Sequence, residues 1–362
     1  MEVNFYAILK IHLQRIQGEI YMITISACLI VKNEEQILAR CLNSLNDIVD
    51  EIVIVDTGST DGTKDIAKNY TDKIYDFQWI DDFAAARNFS FSKAAMDYIY
   101  VADADEVIDE ENRIKFLQLK KAMLPEIDIV QMKYANQFQF NTTYNFDVEY
   151  RPKLYKRVRY FYWIDPIHES VSLEPIIYDS DIEILHLPTS NHAPRDFKTF
   201  QKIILRGEKL SKKLINMYAR ELFIAGTKED FLKAESFFEM LLEDDSYSFS
   251  YEERKAIQCV LVRCSSLKND LPKLLKYSLN NVAGDKPSSE ICYELGEYFF
   301  GLSDYKEAII WFYNAAYETE CELNIHYGGD YPLKKLSACY ENLGNIEQAD
   351  AYNELAKQWK AE

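Results

Sequence analysis

Three carboxylates fall within four positions at Asp103-Ala104-Asp105-Glu106, directly after the apolar run Tyr98-Ile99-Tyr100-Val101-Ala102. Carboxylates two residues apart can both turn toward one hard divalent cation, which takes oxygen ligands and leaves positions open for water or substrate phosphate. The chemistry such a pair could do is to hold Mg2+ or Mn2+ against a diphosphate. Composition alone does not mark it: 59 of 362 residues are acidic, and a similar triplet recurs at Asp179-Ser180-Asp181. Position does mark it. The first triplet ends an aromatic and β-branched run that reads as a buried strand, and open α/β sheets collect ligands beyond the carboxyl ends of their strands.

The elements that must position this strand end can be read on either side of it. Residues 23–31 form an apolar strand that breaks at Lys32-Asn33-Glu34-Glu35, with Asn33 expected to cap a helix carrying Ile37, Leu38, Cys41, Leu42 and Leu45 on one face. A second strand over 51–55 runs into Asp56-Thr57-Gly58-Ser59-Thr60-Asp61-Gly62, where glycines permit close backbone approach and Thr60 or Asp61 is placed to cap the next helix. Strand, helix and strand within about 50 residues make a βαβ unit and so a parallel sheet. A short strand at 74–77 precedes Asp81-Asp82-Phe83-Ala84-Ala85-Ala86-Arg87-Asn88, which opens a helix with acids at its start. Arg87 and Asn88 there either bind phosphate or ribose or face solvent.

Beyond the acidic triplet, a helix over 109–123 ends before Pro125, and residues 129–134 with the aromatic segment to Tyr150 read as hairpin strands. The stretch from Arg151 to Arg159 is a dense positive run, either a solvated face or a contact to a diphosphate. His168 and His186 follow on apolar segments. Each can be a hydrogen-bonded core residue, while His186, at a strand end, could complete a metal shell and Glu169 could act as a general base.

From residue 196 the pattern is wholly helical. Leu295-Gly296, Phe299, Asp304-Tyr305, Ala308, Phe312 and Ala315 match the tetratricopeptide spacing, and Leu336, Tyr340, Gly344, Ala349 and Ala356 repeat most of it 41 positions later. A weaker copy runs through Tyr218, Ala234 and Phe238, with a degenerate helix pair over 257–279 between them. Small and large residues in such arrays interlock neighbouring helices, and the array can bind a partner, serve structurally or pair two chains as a homodimer.

A formal charge of −18 argues against nucleic-acid or anionic-membrane binding, so any phosphate ligand needs a metal or local basic groups. No apolar run reaches the roughly 18–20 residues of a membrane-spanning helix, and no stable membrane insertion is expected. Seven cysteines without a CxxC pair or regular spacing fit reduced thiols and a cytoplasmic location. The first 22 residues are an N-terminal extension to which no function is assigned.

Leu29 to Glu35, Val55 to Thr63, Asp82 to Asn88 and Asp103 to Glu106, taken in order, resemble glycosyltransferase family 2. Ile167-His168-Glu169 and Leu185-His186 resemble the branch of that family that includes sublancin-type S-glycosyltransferases and lipopolysaccharide-core enzymes, several of which carry helical repeats. The resemblance covers about residues 23–195 and implies an α/β GT-A fold with a mostly parallel, Rossmann-like sheet; the repeat spacing places an all-α tetratricopeptide-like domain after it, over 196–362. It also implies inverting transfer from a nucleotide sugar, usually a UDP-sugar, with Mg2+ or Mn2+. Carried over residue by residue, Val31, Asn33, Glu34 and Asp56 would line the nucleoside, and Asp82, Arg87, Asn88, Ala104, Arg151 and His168 would belong to the donor site. Asp103 would hold ribose or a metal-bound water, Asp105 the metal, and His186 its third ligand. Glu169 is the first choice of base and Asp165 the second. The expected acceptor is a peptide or protein side chain, with cell-surface or lipid-linked saccharide synthesis as the alternative and an inactive repeat scaffold as a third reading.

Overall fold

The computed structural model describes residues 22–135, 149–159, 161–167, 170–171, 175–187, 193–244, 247–284 and 286–360. Two compact units divide the chain near residue 191.

The first unit is built on an eight-stranded sheet in the order β3-β2-β1-β4-β7-β6-β10-β5. These strands are β1 (Ile25–Val31), β2 (Glu51–Asp56), β3 (Ile74–Asp76), β4 (Tyr98–Ala102), β5 (Glu106–Val107), β6 (Ile129–Ala135), β7 (Glu149–Lys156) and β10 (Ile177–His186). A small pair, β8 (Trp163–Ile164) and β9 (Ser170–Val171), lies apart from it. Pairing is parallel through β3-β2-β1-β4 and again between β6 and β10, while β7 runs antiparallel to β4 and β6 and β5 antiparallel to β10. This is the α/β arrangement with a parallel β1 to β4 half that the strand and helix pattern predicts.

Helices α1 (Leu38–Leu45), α2 (Thr63–Ala67), α3 (Phe83–Phe91) and α4 (Glu110–Ala122) connect the strands. Helix α1 buries Leu38, Cys41, Leu42 and Leu45 in the same core as Ile25, Ala27, Leu29 and Val31 of β1 and Phe116 of α4. Each such leucine contributes roughly 1.5–3 kcal/mol when fully buried, so this stripe outweighs the absence of a side-chain cap at Ile37, where the helix starts. Asn33, expected as that cap, instead takes a left-handed backbone with φ 57° four residues upstream of Ile37. Its side chain serves the neighbouring loop rather than the helix. Asp109 and Asp82 do cap, accepting from the amides of Asn112 and Ala85 at the starts of α4 and α3.

The basic run is also placed differently from a solvated face. Residues 151–156 belong to β7, between β4 and β6, and Lys153 is buried there; only residues 157–159 continue as a 3-10 turn.

The second unit contains α5 (Ala193–Leu205), α6 (Lys212–Ala225), α7 (Lys228–Glu243), α8 (Tyr251–Lys268), α9 (Leu271–Val282), α10 (Ser289–Gly301), α11 (Tyr305–Tyr317), α12 (Asp330–Asn342) and α13 (Ile346–Gln358). Successive helices pack as hairpins, most extensively α10 on α11 and α12 on α13, the two pairs that the repeat spacing picks out. The 41-position spacing exceeds the tetratricopeptide period of about 34 residues, and a 3-10 turn over Ile325–Gly328 lies in the segment inserted between those repeats.

Candidate active site

Parallel pairing fixes where the chemistry-bearing residues go. Val31 is opposite Asp56, and Leu29 is opposite Ala102, so β1, β2 and β4 all end at one edge of the sheet. Val31 is buried there. Asp56, 1% exposed, turns the chain: its Oδ1 accepts from the amides of Gly58 and Ser59, each at 3.0 Å, and Gly58 takes φ +104°, which suits glycine. Its Oδ2 is buried without a hydrogen-bond partner among the described residues. A buried acceptor left unpaired costs about 1–3 kcal/mol, so this oxygen is where a ligand hydroxyl or ring N–H would be bound with most gain.

Asn33 and Glu34 hold the loop after β1 to the loop after β2. Asn33 Oδ1 accepts from the Thr60 amide at 2.8 Å, and the amides of Asn33 and Glu34 donate to Ser59 Oγ at 2.9 Å and Thr63 Oγ1 at 2.7 Å. Glu35 closes the same seam by accepting from the Gly62 amide at 2.7 Å. These amide-to-side-chain bonds fix the two loops beside Asp56 to each other.

The acidic turn begins as β4 ends. Asp103 keeps a side chain 44% exposed, and Arg87 Nη2 stands 3.5 Å from its Oδ1. Burial of the region would raise the Asp103 carboxyl, but the charges of Lys153 and Arg87 outweigh it and hold the group below the usual aspartate range. Asp105 is buried and its Oδ2 lies 3.1 Å from His186 Nε2. His186 ends β10 opposite Glu106 of β5, and its ring packs on Tyr134 with centroids 4.9 Å apart. Ala104 is buried between the two aspartates. Asp105 and His186, from opposite ends of the sequence expectation, are thus neighbours. Among the described residues no three His, Cys, Asp or Glu side chains already form a metal cage.

Arg87, 7% exposed, also stacks over Trp163 at 5.6 Å. Asn88 is committed to the same tryptophan: its Nδ2 donates to the Trp163 carbonyl at 3.0 Å and its Oδ1 accepts the Trp163 amide at 2.8 Å. Asp82 Oδ1 accepts the Ala85 amide at 2.9 Å as the cap of α3. Arg151 lies on the Tyr134 ring at 4.0 Å with Nε 3.8 Å from Glu149. Asp165 has a left-handed backbone, φ 72°, and the next residue, Pro166, accepts the Phe83 amide at 2.8 Å. His168 and Glu169 lie outside the described residues.

Sequence reasoning passed over four residues that surround this edge: Lys153, Glu106, Tyr134 and Trp163. The signal that could have found Lys153 is its place in a strand, one residue before the buried Leu154, and the signal for Glu106 is its position inside the acidic triplet.

Residues 26–172 match the family model described as Glycosyl transferase family 2. The SPbeta prophage-derived glycosyltransferase SunS of Bacillus subtilis is 27% identical over 269 residues, 67% of this chain and 58% of that protein. A TPR repeat-containing protein of Synechococcus elongatus is 47% identical over 85 residues, 24% of this chain and 21% of that protein. The chain therefore spans less than two thirds of the length of either relative. A solved structure of glucosyl-3-phosphoglycerate synthase from Mycobacterium tuberculosis with Mg2+ and UDP superposes with a TM-score of 0.38 at 14% identity, covering 52% of this chain and 81% of that one. The family match therefore falls on the segment that contains β1 to β8, with the acidic turn after β4 inside it.

Proposed function

We propose that this chain transfers a sugar, with inversion, from a UDP-sugar to a side chain of a peptide or protein. What supports the donor half most directly is Asp56, which leaves one buried carboxylate oxygen with no partner among the described residues, at the same sheet edge as Asp103 and Asp105 within the segment that matches the family 2 model. The nucleoside would take that oxygen, and Val31, Asn33 and Glu34 would form the wall beside it.

The donor set of the acidic turn fits a hard divalent ion. Asp105 and Asp103 supply carboxylate oxygens, His186 supplies an imidazole, and diphosphate oxygens would fill further positions. Bound Mg2+ or Mn2+ would stabilise the charge growing on the departing diphosphate. Arg87 and Arg151 add fixed positive charge at the same place, and Arg87 is held by Trp163 in a pose that can serve a phosphate oxygen. On the acceptor side a carboxylate must take the proton of the attacking group, and Glu169, then Asp165, fill that role in this reading. A cysteine thiol as acceptor, with a reference pKa of about 8.5, would ask less of the base than a hydroxyl. The helical array selects the acceptor, an assignment supported by the resemblance to sublancin-type enzymes.

The test is incubation with a panel of UDP-sugars, Mn2+ and candidate peptides, read by mass spectrometry. A peptide mass gain of one sugar is expected; UDP release only with saccharide or lipid acceptors would move the acceptor assignment to the glycan reading. Replacing Asp105 by Ala should cut metal-dependent UDP-sugar hydrolysis by about 100-fold or more, and undiminished hydrolysis would remove it from the metal site. Glu169→Gln should keep UDP binding and lose transfer.

A further inference from the structure

We propose that Lys153 and Glu106 are positioning residues whose buried ion pair holds the Asp103 to Glu106 turn in the shape that presents its two aspartates. The proposal rests on the glycosyltransferase reading for its consequence, but its structural half stands on the turn itself.

Glu106 is tied on several sides. Its Oε1 and Oε2 lie 2.6 and 2.8 Å from Lys153 Nζ, with the two side chains 3% and 5% exposed. Its Oε2 also accepts the Asp103 amide at 3.2 Å, while its own amide donates to the Asp103 carbonyl at 3.1 Å. The turn is therefore closed twice, once by backbone and once by the Glu106 side chain. Outside this closure, Cys41 Sγ donates to the Asp103 carbonyl at 3.3 Å, the Leu187 amide donates to the Asp105 carbonyl at 2.9 Å, and Glu106 pairs with His186 in the β5 to β10 ladder. Both bonds that close the turn on itself end on Glu106, the residue that Lys153 grips.

Among the described residues Glu106 is the hydrogen-bond partner of Lys153 Nζ. Lys153 projects from β7 between the rings of Tyr100 and Tyr134, 5.8 and 5.7 Å from their centroids, away from solvent. A buried ion pair is a poor way to gain stability, since well-packed apolar residues of similar volume do as well or better. What the pair does provide is a fixed carboxylate under the Asp103 amide, and outer residues of this kind set the orientation of the groups that bind a metal.

Removing one partner alone would strand a buried charge, so the test uses paired changes. In Lys153→Met/Glu106→Leu the charges go and the Asp103 amide loses its acceptor; in Lys153→Met/Glu106→Gln the charges go but an acceptor remains. Three quantities are compared with the parent: hydrogen exchange of the peptide spanning 101–108, Mn2+ affinity by isothermal titration, and kcat against KM for the UDP-sugar. For the Leu variant, exchange should quicken about tenfold or more and Mn2+ affinity should fall about 10–100-fold, with unchanged far-UV circular dichroism. The Gln variant, which keeps the acceptor for the Asp103 amide but not the ion pair that seats it, should fall between the Leu variant and the parent in both. A folded Leu variant with parental exchange and Mn2+ affinity would reduce the pair to packing and overturn the proposal. Should the Leu variant fail to fold, the Gln variant decides, because parental exchange and Mn2+ affinity there would show that the ion pair is not what holds the turn and would overturn the proposal. If the parent itself neither binds Mn2+ nor consumes a UDP-sugar, the glycosyltransferase reading fails, and exchange alone then judges the pair.

Discussion

The two oxygens of the Asp56 carboxylate differ in what they meet. One oxygen carries the amides of Gly58 and Ser59, and the other is buried with no partner among the described residues, so the two can be separated by substitution. Asp56→Ala should weaken UDP binding by tenfold or more, about 1.4 kcal/mol, because it removes the unpaired acceptor and frees the loop together. Asp56→Asn keeps an oxygen for the loop amides and should fall between that variant and the parent in a calorimetric titration with UDP. Parental affinity in both would move the nucleoside elsewhere. Asp103 differs in kind: half-exposed, with Arg87 beside it and Lys153 behind it, it stays charged and available.

Among the elements, helix α3 and the strand pair β8 and β9 act as one piece. Asn88 spans the Trp163 backbone with two hydrogen bonds, and the Phe83 amide reaches Pro166, so the helix that carries Arg87 fixes the segment that carries Asp165. In the helical unit the hairpin of α10 and α11 closes over Gly296, where a Cβ would sit 2.6 Å from the Phe312 ring. Alanine is the better helix former by about 1 kcal/mol, yet overpacking a core costs about 1–3 kcal/mol. Gly296→Ala should therefore lower the thermal unfolding midpoint, and Gly296→Ala/Phe312→Leu should recover part of the loss. A raised midpoint in the single variant would mean that the hairpin yields there at no cost. Glycine at this position is what the repeat spacing predicts; the close ring contact is its reason.

On the scale of the whole molecule, the second unit is fastened by buried acids. Glu290, fully buried on α10, accepts the amides of Glu322, Leu323 and Asn324, and the Asn324 side chain donates to the Phe223 carbonyl at 2.9 Å, tying the inserted segment to α6. Glu290→Ala leaves those amides unpaired and should cost at least about 2 kcal/mol in urea unfolding, with Glu290→Gln losing less. Asp330 supplies a pH dependence. Burial would raise its carboxyl, but His326 and Lys334 outweigh burial and hold it below its ordinary value of about 3.9. A carboxyl lowered in the folded state stabilises fully above its unfolded value and loses that contribution as the pH falls through the folded one. Asp330→Asn should thus be less stable than the parent near pH 7, with the gap narrowing as the pH falls below about 4. A gap independent of pH would mean that the carboxylate charge contributes nothing. No described helix is long and apolar enough to cross a membrane.

Periodicity and order along the chain by themselves determined the α/β unit, the helical repeats and the Asp103 to Glu106 strand end. Those features are written in local patterns: β-branched runs, helical apolar spacing and a carboxylate pair in a fixed place. Tertiary structure decided the rest. Asn33 binds Thr60 rather than capping a helix, because the loop after β2 comes within reach only once β1 and β2 are paired. Lys153 turns from an apparent surface charge into the partner of Glu106, because β7 enters the middle of the sheet, 47 residues along the chain from that acid. Asp105 meets His186 across 81 residues because β5 pairs antiparallel with the end of β10. Contacts between residues far apart in sequence depend on strand order, and strand order is set by the packing of the whole sheet, which no local stretch encodes.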